Sequence, residues 1–257
     1  MRPKYSLGQN FLIDKNIVAK ILQLADLQRN EIILEIGPGT GALTSALLDS
    51  GVQVYAIEKD WELCKPLQNE FGGYKKFTLL EGDALTYDLS QLPTTYKLIA
   101  NLPYNVATAI IERFFIKHFP PKHAVVMVQY EVAEKITVRP PHGGVLGSFY
   151  QSVASVELAH KVSPSCFSPR PKVDSALLCM SPLATPLLPQ KNWGAYLAFI
   201  QKNFQWKRKK LQTTLVKTSG RSLPEVKTIM DQDGIHENIR PQDLTPMQWK
   251  NLWQQLG

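Results

Sequence analysis

Short apolar runs recur along the first half of the chain: EIILEI (31–36), VQVYAIE (52–58), KFTLLEGD (76–83) and KLIAN (97–101). Each is rich in β-branched and other apolar residues, and each is followed by a stretch that can be helical. Runs of this length that alternate with helical segments predict a parallel sheet with helices on both faces. AVVMVQ (124–129) predicts a fifth strand, while SVASVELAHKV (152–162) and SALLCMS (175–181) predict a closing pair at one edge, which makes the sheet mixed. Past residue 190 the rhythm changes. NWGAYLAFIQKNFQW (192–206), KRKKLQTTLVKTSG (207–220), SLPEVKTIMDQDG (222–234) and LTPMQWKNLWQQL (244–256) have helical length, and Gly220 and Gly234 stand where a C-cap glycine ends a helix. Between the two regimes, Met180–Gln190 carries three prolines, which disfavour both helix and sheet pairing and mark a linker. The expected architecture is an α/β domain over residues 1–185 and a small all-helical domain over 186–257.

Composition adds bounds. A chain of 257 residues that is 44% hydrophobic can bury a sizeable core. No apolar run approaches the roughly 18 to 20 residues of a membrane span. MRPKYSLGQNFLIDK also lacks the apolar core of a secretion signal, so no membrane association and a cytoplasmic location are expected. Cys64, Cys166 and Cys179 show neither CxxC nor nearby histidine spacing, which argues against a metal or a disulfide. Without a sustained heptad pattern, a monomer is expected. Net charge is +7, and the part from Pro186 onward holds eleven Lys and Arg against five acids, so six of those charges fall in the tail. A basic tail of this kind suits a polyanion, and Lys207, Arg208, Lys209 and Lys210 are its densest cluster and the candidate phosphate contacts.

In an open parallel sheet, ligands sit beyond the carboxyl ends of the strands. After the first strand comes Glu35-Ile-Gly37-Pro-Gly39-Thr-Gly41, which opens onto the helical stretch 42–51. Glycines there let backbone approach a ligand and leave free N–H groups at a helix start. Glu58 ends the second strand, where a carboxylate can take the two hydroxyls of a ribose. Asp83 and Asn101 end the third and fourth. The turn is not the G-x-G-x-x-G of a dinucleotide dehydrogenase, and no G-x-x-x-x-G-K-[ST] phosphate loop is present. With acids and an amide at successive strand ends, the pattern resembles the nucleoside-binding half of S-adenosylmethionine-dependent methyltransferases.

Asn101-Leu102-Pro103-Tyr104 suits methylation of an exocyclic amine. The N6 lone pair of adenine is delocalised into the ring, so a site must hold N6 in a geometry that frees it. The Asn101 amide oxygen and the Leu102 carbonyl can accept the two N6 hydrogens, the Tyr104 ring can stack on the base, and Pro103 stiffens the turn. No strong general base is needed.

Together with this motif and the glycine turn, Ser6-Leu-Gly-Gln-Asn10-Phe-Leu12, Gln129-Tyr-Glu-Val-Ala133 and Phe167-Ser-Pro-Arg-Pro-Lys-Val-Asp-Ser175 resemble the ribosomal RNA adenine N6,N6-dimethyltransferase family. The resemblance implies a Rossmann-like class I methyltransferase that uses S-adenosylmethionine, releases S-adenosylhomocysteine and needs no metal. It also implies two methyl groups on each of two adjacent adenines in a hairpin loop near the 3′ end of 16S rRNA. The small ribosomal subunit is then the partner, with a role in its assembly. Carried over by residue, Asn10 and Leu12 cover the cofactor, Gly37 meets it through backbone, Glu58 holds its ribose and Asp83 its adenine amine. Asn101 touches both cofactor and target. Phe167 presses on the target adenine opposite Tyr104, unless it is instead a core anchor for its proline-rich loop. Two other functions stay open: a macrolide-resistance methylase acting on 23S rRNA, and an assembly or RNA-binding factor that keeps this fold.

Overall fold

The computed structural model describes residues 9–116, 118–206 and 208–257. The chain forms two compact units, residues 1–133 with 157–181 and residues 134–156 with 182–257.

The first unit is built on a seven-stranded sheet. In chain order its strands are β2 (Ile32–Ile36), β3 (Gln53–Glu58), β4 (Phe77–Glu81), β5 (Lys97–Asn101), β6 (Ala124–Gln129), β7 (Ala154–Val162) and β9 (Ser175–Pro182). Their spatial order is β4-β3-β2-β5-β6-β9-β7. The five strands from β4 to β6 pair in parallel, and β9 runs antiparallel to β6 with Gln129 opposite Ser175. The sheet is therefore parallel with a mixed edge, as the hydrophobic runs predict. A separate two-stranded ribbon joins β1 (Phe11–Leu12) to β8 (Phe167–Ser168), with Phe11 opposite Ser168 and Leu12 opposite Phe167.

Helices α1 (Lys15–Ala25), α2 (Ala42–Asp49), α3 (Trp61–Phe71) and α4 (Ala107–Ile116) connect the strands. One core cluster gathers Ile17 and Ile21 of α1, Leu43 and Leu47 of α2, Leu63 and Leu67 of α3, and Ile33, Val54, Ile99 and Val125 of the sheet. Strands covered on both faces cannot alternate apolar with polar residues, which is why the central runs are almost continuously hydrophobic. Polar groups are left for the strand ends.

The second unit is mainly helical. It contains the end of α5 (Tyr130–Thr137), then α6 (Val145–Val153), α7 (Trp193–Phe204), α8 (Leu211–Ser219), α9 (Leu223–Gln232) and α10 (Pro246–Leu256). Its core is aromatic. Phe149 packs edge-on to Trp193, Phe204 stacks on Trp249 at 5.6 Å between ring centres, and the Tyr196 hydroxyl lies 2.9 Å from Ser152 Oγ. Gly220 caps α8 in the left-handed conformation, φ +72°. Two features differ from expectation. Residues 134–156 fold with the tail instead of with the first 185 residues. The basic run also precedes a helix instead of starting one: Lys210 is extended at ψ 146° and α8 begins at Leu211, because four consecutive cations supply no apolar spacing for an amphipathic turn. Among the described residues no helix is long and apolar enough to cross a membrane.

Candidate active site

The carboxyl ends of β2 to β5 open into one cleft of about 1110 Å³, mouth included, lined entirely by residues of the first unit. Its floor is the glycine turn. Gly37 donates its N–H to the Ile57 carbonyl at 2.9 Å, which ties the turn to β3. Gly39 and Gly41 take φ of +61° and +82°, and a Cβ on Gly41 would stand 2.5 Å from the Phe71 ring, so no larger residue fits there without displacing α3. The side chain of Phe11 lies over Gly39, within 2.9 Å of where its Cβ would be, and closes the turn from above.

Glu58 is 6% exposed at the end of β3. Its Oε2 accepts the Gly39 N–H at 3.2 Å and its Oε1 the Asp60 N–H at 2.8 Å. Burial pushes its pKa up and these backbone donors pull it back. Glu35, deeper in the cleft, has a stronger shift: burial pushes its carboxyl up to about 8, against the opposing hydrogen bond from the Thr44 hydroxyl at 2.7 Å, while the neighbouring Glu58 adds to the rise. Of two acids close together, one is thus held protonated near neutrality.

Asp83 sits on the loop after β4. Burial alone would raise its pKa, but a hydrogen bond from Lys59 at 2.8 Å, the Leu85 N–H at 2.9 Å and the Lys59 charge hold it below the usual carboxylate range. Apolar side chains of Ile57, Leu63, Leu85 and Ile110 complete the walls on this side.

At the end of β5, Asn101 Nδ2 donates to the Asn10 carbonyl at 2.9 Å. A carbonyl can only accept, so this bond fixes which end of the amide is which and leaves Oδ1 as the acceptor. Leu102 donates its N–H to Met127, and its side chain is buried. The Tyr104 hydroxyl lies 2.5 Å from Ser175 Oγ; burial raises the phenol pKa while the Ser175 bond opposes the rise, so the ring is neutral at ordinary pH.

Asn10, Leu12, Gly37, Glu58, Asp83, Asn101, Leu102, Pro103 and Tyr104 therefore meet in a single cleft. Phe167 does not. It is 1% exposed and belongs to the core cluster with Leu12, Ile17 and Leu177, the arrangement of a core anchor for its loop. Arg208, Lys209 and Lys210 belong to the second unit, where Lys210 donates to Asn238 at 2.5 Å and Arg208 and Lys209 border a concavity with Phe204 and Trp206. Lys207 and the Ser6–Gly8 part of the N-terminal motif lie outside the described residues.

A family model described as ribosomal RNA adenine dimethylase matches residues 1–256. The chain belongs to the ribosomal RNA adenine dimethylase family. Three relatives carry the name ribosomal RNA small subunit methyltransferase A. That of Prochlorococcus marinus is 37% identical, covering 99% of this chain and 94% of its own length. The Halothermothrix orenii protein is 35% identical over 98% and 88%, and one from Clostridium botulinum is 39% identical over 82% and 78%. Among solved structures, the 23S rRNA methyltransferase ErmE matches with a TM-score of 0.77 at 28% identity, covering 96% of this chain and 99% of that one. A dimethyladenosine transferase from Plasmodium falciparum reaches 0.80 at 24% identity, covering 94% and 95%, and shows the same fold.

In this dimethylase, three supporting residues escape a reading of motifs. Lys59 pairs with Asp83, Arg113 of α4 donates to the carbonyls of Leu85 and Tyr87 and so fixes the loop carrying Asp83, and Ser175 holds Tyr104. Each acts on a cleft residue far away in sequence. Only Lys59 carries a local signal, since it directly follows the acid that ends β3.

Proposed function

We propose that this protein uses S-adenosylmethionine to place two methyl groups on N6 of each of two adjacent adenines in a hairpin loop near the 3′ end of 16S rRNA, acting on the small ribosomal subunit during its assembly. The observation that carries it is the amide of Asn101, whose NH₂ is held by the Asn10 carbonyl so that its oxygen is left to accept, with Tyr104 three residues on in the same cleft.

The cleft chemistry fits the cofactor. Glu58, held by the Gly39 and Asp60 backbone donors, keeps acceptor capacity for ribose hydroxyls, and Asp83, held ionised, suits an amine. The apolar side chains of Ile57, Leu85 and Ile110 suit the flat faces of a purine. When bound, this cofactor supplies an electrophilic methyl group on a positively charged sulfur. The protein's own part is to orient the amine. Asn101 Oδ1 and the Leu102 carbonyl accept the two N6–H bonds and favour a tetrahedral nitrogen whose lone pair points away from the ring. Tyr104, neutral and fixed by Ser175, offers its face for stacking, not a base for proton removal. As the nitrogen gains positive charge its proton becomes acidic and passes to solvent, so no side-chain base is needed; the first transfer engages both acceptors and the second, with one N–H left, only one of them. Because adenine N6 is out of reach inside a stacked helix, the target base must enter unstacked.

Relatives at 35–39% identity named for the small subunit support this substrate over the large subunit on which ErmE is named to act. Transfer of labelled methyl from S-adenosylmethionine to small subunits lacking the modification, to naked 23S rRNA and to duplex DNA tests it. Label recovered as N6,N6-dimethyladenine in the small subunit is the expected outcome. Label only in 23S rRNA assigns the resistance-type reaction, and label in none, with tight subunit binding, leaves an assembly factor.

A further inference from the structure

The Asn101 amide has a built-in ambiguity. The oxygen and NH₂ ends of a side-chain amide are nearly equal in size, so packing alone does not choose between two orientations related by a half-turn. With its NH₂ turned to the target, Asn101 would meet the hydrogens of an amine with donors of its own. The choice is made by the Asn10 carbonyl, which accepts from Nδ2 at 2.9 Å across 91 residues of sequence. Orientation of the amide therefore depends on where the backbone of residue 10 is held.

On one side, residue 10 leads into the ribbon that pairs Phe11 with Ser168 and Leu12 with Phe167. Two residues a side make a weak hold. On the other side, Gln9 Nε2 donates to Asp60 Oδ2 at 2.7 Å. Asp60 is itself a fixed post: it is 4% exposed, and as the N-cap of α3 its Oδ1 accepts the Glu62 N–H at 3.2 Å. Its own N–H donates to Glu58 Oε1 at 2.8 Å. Gln9 and Asn10 both line the cleft. Glu58 at the ribose end and Asn101 at the amine end are thus joined by one run of hydrogen bonds, through Asp60, Gln9 and the Asn10 backbone.

We propose that Gln9 is a positioning residue for methyl transfer: seated on Asp60, it holds the Asn10 carbonyl against the Asn101 NH₂ and so keeps the Asn101 oxygen turned to the target amine. The inference rests on the methyl-transferring function above and adds to it a residue that acts through Asn101.

The test compares Gln9→Met, which keeps the side-chain length without the donor, with Gln9→Lys, which keeps a donor for Asp60. Single-turnover methyl transfer to undermethylated small subunits is timed at saturating S-adenosylmethionine, with and without Asn101→Ala. Gln9→Met should slow transfer by about ten- to a hundredfold, the upper figure being the cost of about 1 Å of misplacement at a reacting group. Gln9→Lys should restore most of the rate. In the Asn101→Ala background Gln9→Met should change the rate no further, because the amide it positions is gone. An equal loss in both backgrounds overturns the proposal and makes Gln9 a general prop of the cleft. So does a rate that Gln9→Met leaves unaltered at saturation, whether or not KM for S-adenosylmethionine rises. If the wild type methylates no rRNA, the functional assignment fails first. There, or where Asn101→Ala leaves too little activity to time, hydrogen exchange of the Asn101 side-chain NH₂, followed by NMR and assigned by its loss in Asn101→Ala, decides the positioning by itself. Faster exchange in Gln9→Met than in wild type supports it, and equal exchange overturns it.

Discussion

Glu35 is the residue most out of place by ordinary rules: a carboxyl with 1% exposure and a pKa of about 8. A group whose folded pKa is raised lends stability that is complete below its unfolded value, near 4.5, and is lost as pH climbs toward about 8. Glu35→Gln removes that loss. The thermal midpoint of the variant minus that of wild type should therefore grow steadily from about pH 5 to about pH 8. A difference independent of pH would mean that Glu35 is ionised in the folded protein. The sequence marks Glu35 only as the acid before a glycine turn. By contrast, Glu58, Asp83 and Asn101 are legible because each ends a hydrophobic run, and the end of a buried strand is where a polar side chain can reach a ligand. Arg113 and Ser175 are not legible, because their partners lie 28 and 71 residues away and only folding brings them near, and Lys59 shows only as the cation directly after the acid that ends β3.

Among the elements, the five parallel strands could be read directly, since burial on both faces writes itself as uninterrupted Val, Ile and Leu. The ribbon of β1 and β8 could not: two residues a side give no period to detect. Its anchor is Phe167, which explains why the aromatic that opens the proline-rich loop is buried. Phe167→Ala should cost about 3–5 kcal/mol of unfolding free energy, the range for emptying a core position of a phenyl ring. Urea denaturation measures it. If Phe167 instead touched the target base, stability would hold and kcat would fall. The start of α8 is set by packing and not by charge: a run of cations offers no face to bury, whereas Leu211, Thr214 and Leu215 supply the buried face that defines the helix.

For the molecule as a whole, the basic tail suits a polyanion, and the motifs of the first unit narrow that polyanion to RNA. Replacing Lys207, Arg208, Lys209 and Lys210 together with Ala should flatten the salt dependence of RNA binding by about 0.7 for each single-strand phosphate contact removed. A titration at several salt concentrations reads this directly, and an unaltered slope would remove the tail cluster from the interface. The division into two units was the part composition could not supply. Prolines mark a boundary near residue 185, but nothing in the local sequence of 134–156 says that Phe149 and Tyr150 belong with Trp193 and Tyr196.

That interleaving has a consequence for inheritance. The second unit draws its core from two stretches of gene separated by the coding sequence for β8 and most of β7 and β9, with its boundaries inside α5 and β7. A recombination joint at residue 185 would deliver Trp193 and Tyr196 without the α6 rings they pack against. The helical unit is thus no detachable cassette: an exchange that transfers it whole must carry residues 134–156 along with the tail.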